Sequence, residues 1–331
     1  MRTHFPRRSL LAGTALSLAA AACGGLPRAA TANDVSRPAF RIRRPDRDFP
    51  DSLLLPGEHE RTATGYLPPH PSVLYGKARL LLEARNDGSD LWPLMEATPP
   101  LDLARHLSPE QVGILRAALR CAGPDAEPER IRPFALYFAV VEAGLLAERG
   151  RCPGLPPPRT TPGAPPRQPL IGGDAWLAAL ARRMRIPVGA VESFADNYRS
   201  FSRIPDEVFL RLLRTCLEPD PTQEELARAE AADKALERAR TADDLDGLRE
   251  AALDVFSAGD PVGRAAFARH ALDERNALMA ERLAPVLMKE GTLVALGAAH
   301  VGGPTGVPAL LRQRGLRVEP VRVAVYVPPQ R

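Results

Sequence analysis

Four short apolar runs in this chain end on groups able to do chemistry. SLLLP (52–56) leads into Gly57-Glu58-His59, and ARLLLEA (78–84) carries Glu83 near its end. PVGAVE (187–192) stops on Glu192, and LVALGAAH (293–300) stops on His300. The runs are continuous rather than alternating, which suits strands covered by helices on both faces, as in an α/β fold. Helical patterns separate them. LSPEQVGILRAALRCAG begins with Ser108 as N-cap, RPFALYFAVVEAGLLAERG is apolar enough for the centre of a core, and GGDAWLAALARRM starts a helix near Asp174. Residues 205–290 read almost entirely as helix, and the charge alternation in DPTQEELARAEAADKALERAR marks a solvated face. The chain closes with helix VPALLRQRG and strand RVEPVRVAVYV.

The N-terminus carries no such pattern and reads as an address. Residues 1–22 have a basic start and the apolar run Leu10–Ala22, which is a signal peptide and too short for a spanning helix. Arg7-Arg8 followed by Ser-Leu-Leu resembles a twin-arginine export signal. Ala-Ala-Ala-Cys23 resembles a lipobox, which would make Cys23 the lipidated residue and a membrane anchor; ordinary cleavage after an Ala-x-Ala is the alternative. Either reading places the protein outside the cytoplasm, in the periplasm, with residues 23–50 as a Pro- and Arg-rich tether and 51–327 as the folded domain. No later segment is long and apolar enough to span a bilayer. PGLPPPRTTPGAPPRQP (153–169) is a proline-rich excursion.

Composition narrows the classes. The chain is 45% hydrophobic and 25% charged, the profile of a globular protein, and 35 prolines with 5% aromatics point to a Leu/Val/Ala core with many fixed loops. The net charge of +4 comes from scattered arginines, which argues for solubility and against a nucleic-acid footprint. Export permits disulfides, and with Cys23 set aside Cys121, Cys152 and Cys216 allow one internal pair at most. Cys121 and Cys152 flank a helix and are the expected partners.

In α/β sheets the ends of strands open into the crevice where ligands bind. Two imidazoles and two carboxylates gathered there suit a divalent metal and an activated water, with a remaining carboxylate to accept a proton. Each residue also has a plainer reading: an acid after a strand caps the next helix, and a histidine at a strand end bonds a loop.

Longer motifs bear on that choice. DERNALMAERLAPVLMKEGTLVALGAAHVGGPTGVPALLRQRGLRVEPV (273–321) resembles the C-terminal signature of the TraB/GumN family. That signature has an Arg-Asn pair on a helix (Arg275-Asn276), a strand ending in GxxH (Gly297 to His300), a Gly-Pro turn (Gly303-Pro304), and a helix leading into Gly315 and a last strand. GGDAWLAALARRMRIPVGAVES resembles the family's middle motif with Asp174 and Glu192, and ARLLLEA its second strand with Glu83. The family is related to Tiki-type proteases and, more distantly, to erythromycin-esterase and ChaN-like proteins. The resemblance therefore implies a mixed central β-sheet flanked by helices with a largely helical insertion at about 205–290. It also implies metal-dependent cleavage of peptide or amide bonds. Carried over, His59 and His300 would be ligands of a divalent metal (Mn, Co or Zn), and Glu83 a ligand or base. Glu192 and the Arg275-Asn276 pair would line the pocket, together with Glu58. Arg275 would stabilise an oxyanion or hold a substrate carboxylate, unless it only makes a salt bridge on a helix surface.

The first motif departs from GxxH, since this chain has Pro56-Gly57-Glu58-His59. Either Pro56 replaces the glycine with the spacing kept, or Gly57 is the glycine and the loop is one residue shorter. The expectation is an exported metallohydrolase acting on a peptide or small amide. Its rival is a non-catalytic envelope protein of the same fold that binds a peptide or haem.

Overall fold

The computed structural model describes residues 36–43, 51–57, 68–85, 87–122, 126–148, 152, 155, 173–257 and 260–326. Six strands form one mixed sheet: β1 (Ser36–Arg43), β2 (Ser52–Gly57), β3 (Arg79–Arg85), β4 (Val188–Ser193), β5 (Thr292–Gly297) and β6 (Arg317–Ala324), in the order β4-β3-β5-β2-β1-β6. The four strands β4, β3, β5 and β2 run parallel, and β1 is antiparallel to both β2 and β6. The expected mixed α/β fold is what the chain adopts.

The continuous apolar runs are explained by burial on two faces. All six residues of β5 are buried. Leu293 and Ala295 point to one layer with Leu55, Leu80, Leu177 and Leu180, while Val294 and Leu296 point to the other with Leu54, Met279, Leu283 and Leu311. Period-two alternation thus feeds two cores rather than one core and solvent. Each fully buried leucine contributes roughly 1.5–3 kcal/mol to this arrangement.

Helices complete the layers. After the one-turn α1 (Trp92–Met95) come α2 (Pro109–Ala122), α3 (Pro133–Glu148), α4 (Gly173–Arg183), α5 (Phe194–Phe201) and α6 (Asp206–Cys216). They are followed by α7 (Gln223–Thr241), α8 (Leu245–Ser257), α9 (Pro261–Ala266), α10 (Glu274–Leu287) and α11 (Val307–Gln313). Ser108 caps α2 as its sequence suggests, accepting from the Gln111 amide at 3.2 Å while Gln111 Oε1 accepts from the Ser108 amide at 3.0 Å. Thr222 forms the same reciprocal cap with Glu225 at the start of α7. The helix α3 is central to a third, helical core that holds Phe134, Leu136, Phe201, Phe209 and Phe267. Cys121 and Cys152 are joined, with their Cα atoms 5.6 Å apart, and tie α2 to the segment beyond α3. Among the described residues no helix is long and apolar enough to cross a membrane.

Two boundaries differ from the sequence reading. Residues 36–43, expected to belong to the tether, form β1, with Phe40 paired to Leu54 on one side and to Pro320 on the other. Its stability comes from ladders to distant partners, and only Ala39 and Ile42 are deeply buried, so the local sequence shows little alternation. The strand expected to run to His300 ends at Gly297, and Ala298–His300 form a single 3-10 turn. The signal segment, Cys23, Glu58 and His59 lie outside the described residues.

Candidate functional site

Three parallel strands release their chains side by side. In register, Leu82 of β3 pairs with Ala190 of β4 and with Ala295 of β5, so Glu83, Glu192 and the turn after Gly297 meet at the same C-terminal edge. Glu83, Glu192 and His300 are each buried, at 2%, 4% and 2% exposure. The sheet therefore brings together three of the four strand-end residues singled out in the sequence. For the fourth, β2 pairs with β5 in parallel and Gly57 sits opposite Gly297. The register identifies Gly57 as the counterpart of the GxxH glycine, with His59 two positions on in the sequence where His300 is three. Pro56 lies past the end of the β1–β2 ladder, which covers only Ser52, Leu53 and Leu54, so its missing amide removes no bond to β1.

The helix across this edge is unusual. Between α9 and α10 the chain widens into a π-helical segment, Phe267–Asp273, and Arg275-Asn276 follow at once in the first turn of α10. Arg275 is 1% exposed. Its Nη2 donates to Glu83 Oε1 at 2.7 Å, its Nε donates to Glu192 Oε1 and Oε2 at 3.1 and 3.3 Å, and its Nη1 donates to the Ala271 carbonyl at 3.2 Å. Nη2 also bonds Glu192 Oε1. Burial alone would pull the guanidinium pKa down, but the charges of Glu192 and Glu83 outweigh it and raise it further. The guanidinium is thus permanently charged and spent on two carboxylates. This is neither the surface salt bridge nor the substrate-facing group that the sequence allowed. Glu192, with both oxygens bonded to Arg275, is likewise a holder of the cation.

Glu83 has a different environment. Its Oε2 accepts from the Gly297 amide at 2.7 Å, and its Oε1, besides the Arg275 bond, lies 3.4 Å from His300 Nε2. Asn276, fully buried, settles the histidine's orientation. Its Nδ2 donates to the Thr305 carbonyl at 2.9 Å, which leaves its Oδ1 facing His300 Nδ1 at 2.6 Å. An amide oxygen only accepts, so Nδ1 carries the proton and the lone pair of a neutral imidazole falls on Nε2. That lone pair then confronts a carboxylate oxygen. The two atoms face each other across 3.4 Å, a separation that a bound cation would bridge.

His300 Nε2 and Glu83 Oε1 are suitable donors for a divalent cation. They supply part of a coordination shell. Among the described residues no group of three or more His, Cys, Asp or Glu is gathered for a metal.

Asp273, Thr305 and Arg249 were not singled out in the sequence, yet they flank the site. Thr305 Oγ1 donates to Asp273 Oδ1 at 2.7 Å, and Arg249 Nη2 donates to the same oxygen at 2.6 Å. For Arg275 itself a signal was present. Arg275, Met279, Leu283 and Leu287 recur every four residues and all are buried, which marks the arginine as part of an inward stripe.

No curated protein and no solved structure matches this chain. The model of the TraB/PrgY/gumN family matches residues 78–320, a span that begins after His59 and takes in Glu83, Glu192, Arg275, Asn276 and His300, and the chain belongs to that family.

Proposed function

We propose that this protein is an exported, divalent-metal-dependent hydrolase of peptide or amide bonds, with His300 and Glu83 as metal ligands and His59 as a third. The observation that carries the reading is the facing of His300 Nε2 and Glu83 Oε1 at 3.4 Å with the imidazole proton committed to Asn276. The pairing of Gly57 with Gly297 supports His59 as the further donor, since the two histidine-bearing segments leave neighbouring strands at one level. A bound Mn, Co or Zn ion would supply Lewis acidity to a water and to the scissile carbonyl. The chain's own residues set the conditions for it. Arg275 and the Gly297 amide fix the direction of Glu83, Glu192 holds the guanidinium from its other side, and Asn276 fixes the imidazole. Glu192 and Arg275 act here by positioning Glu83.

Export is part of the proposal. It rests on the N-terminal address, with Cys23 as the lipid-bearing residue, and is supported by the Cys121–Cys152 bond, since disulfides persist in oxidising compartments.

The test is elemental analysis of the purified full chain after incubation with Mn, Co or Zn, beside a peptide-library cleavage assay. Stoichiometric metal and cleavage in the wild type, both lost in His300→Ala, support the reading. Metal content and hydrolysis that survive His300→Ala sink it, and iron with a Soret band transfers the site to haem binding.

A further inference from the structure

We propose that Arg249, Asp273 and Thr305 form a positioning relay that runs from the helical insertion to His300 and holds its Nδ1 proton on Asn276. The relay rests on the reading of His300 as a ligand for its purpose, although its existence is a separate matter. Each link has only one possible direction. Arg249 can only donate, and its Nη2 reaches Asp273 Oδ1 at 2.6 Å. That oxygen, already an acceptor for Arg249, also accepts from the Thr305 hydroxyl at 2.7 Å. The Thr305 carbonyl can only accept, which turns the Asn276 amide so that Nδ2 donates to it at 2.9 Å. Asn276 Oδ1 is then left to accept from His300 Nδ1 at 2.6 Å. The carbonyl fixes the direction of the amide, and the hydroxyl bond to Asp273 fixes where that carbonyl stands, so the network ties the imidazole's hydrogen bond to α8.

The surroundings favour a positioning role over simple packing. Arg249 is 7% exposed, and its Nη1 is buried with no hydrogen-bond partner among the described residues. A buried cation with one unsatisfied nitrogen costs stability that an apolar side chain of similar volume would not. What the charge provides in return is its grip on Asp273. The same helix also holds the loop through its first turn, where Asp246 Oδ1 accepts from the Gly303 amide at 2.6 Å. The loop that follows His300 is thus fastened to α8 and to the π-helical segment together.

The experiment follows the Nδ1 proton of His300 by NMR in full-length protein labelled with ¹⁵N-histidine, without metal or substrate. In the wild type this proton is hydrogen-bonded and exchanges slowly with water. In Thr305→Val, which keeps the volume and removes the hydroxyl donor, its exchange becomes about tenfold faster. In Thr305→Ser the wild-type rate returns. Arg249→Met gives the same acceleration, and if that variant does not fold, the Thr305 pair decides. The Gly297 amide, bonded to Glu83 on a separate branch, keeps its wild-type protection throughout. An unchanged Nδ1 exchange rate in folded Thr305→Val overturns the relay, as does an equal loss of protection at Gly297. Because this readout needs no metal, it stands or falls apart from the hydrolase: a His300→Ala protein that still cleaves peptides refutes the enzyme reading and leaves the exchange result untouched.

Discussion

Arg275 and Glu83, 192 positions apart in the chain, meet at 2.7 Å with both side chains removed from solvent. The contact joins α10 to β3, and with Glu192 on β4 it closes a buried triad of one cation and two anions. Removing the cation leaves two carboxylates buried and mutually repulsive. Arg275→Met is therefore expected to lower stability by about 3–5 kcal/mol, read from the midpoint of urea denaturation at unchanged slope. Arg275→Lys is expected to recover little, because a single ammonium cannot address Glu83 and Glu192 in the fork geometry that the guanidinium uses. A loss below about 1 kcal/mol in Arg275→Met would show that the triad is not what holds this edge of the sheet.

Acid sensitivity should arise next to the triad. Asp196, in the first turn of α5, accepts from Arg282 at 2.7 Å and from the Ser193 amide at 3.2 Å, so it ties α10 to the end of β4. Burial works to raise its pKa, but the Arg282 hydrogen bond and the Ser193 bonds outweigh that and bring it down from 3.8 to about 2. A depressed carboxylate gives stability that is complete above its unfolded value and is lost as pH falls through its folded one. The protein should accordingly weaken from about pH 4 downwards through pH 2, with Asp196 accounting for about 1–2 kcal/mol once its partial exposure is allowed for. Asp196→Asn should flatten the dependence of urea midpoint on pH in that window. An unchanged slope would assign the acid sensitivity to other carboxylates.

The features legible in the sequence were those written in short-range pattern. Apolar runs with a chemical group at the end marked β2, β3, β4 and β5, and Ser108 announced its helix as the N-cap. The first strand was not legible, because SRPAFRIR has a proline, three arginines and little alternation, and it is held by ladders to residues up to 288 positions away. The site divides the same way. The convergence of Glu83, Glu192 and His300 followed from strand ends in a parallel sheet. The commitment of Arg275 to both glutamates did not, since it depends on how the π-helical segment rotates α10 over the sheet edge. Thr305 and Asp273 were invisible for a similar reason: their hydrogen bonds cross between elements, and neither has a local signature.

The covalent link of Cys121 to Cys152 closes a loop with a sequence separation of 31 residues, and it sits against Ala118 and Ala143 where α2 packs on α3. Cross-linking a loop of this size stabilises by about 2–4 kcal/mol, chiefly through the unfolded chain. Cys121→Ala or Cys152→Ala should lower stability by that amount, and reducing agent should shift the melting of the wild type but not of either variant. Equal melting temperatures with and without reductant would mean the bond is not formed in solution.

Gly302 is expected to be the least replaceable residue in the loop that follows His300. A Cβ there would lie 2.2 Å from the Leu245 carbonyl oxygen and 3.0 Å from the Asp246 amide nitrogen, and both are backbone atoms that cannot rotate aside. Gly302→Ala must then push α8 off the loop, at a cost of about 1–3 kcal/mol for the forced repacking. The displacement should also strain the Asp246 bond to Gly303, which at φ +79 already requires a glycine. Hydrogen exchange at the Gly303 amide should accelerate in Gly302→Ala along with the drop in urea midpoint, while the β3 and β5 amides at the far side of the sheet edge change only with global stability. Wild-type stability and wild-type protection at Gly303 in this variant would show that α8 does not rest on the loop.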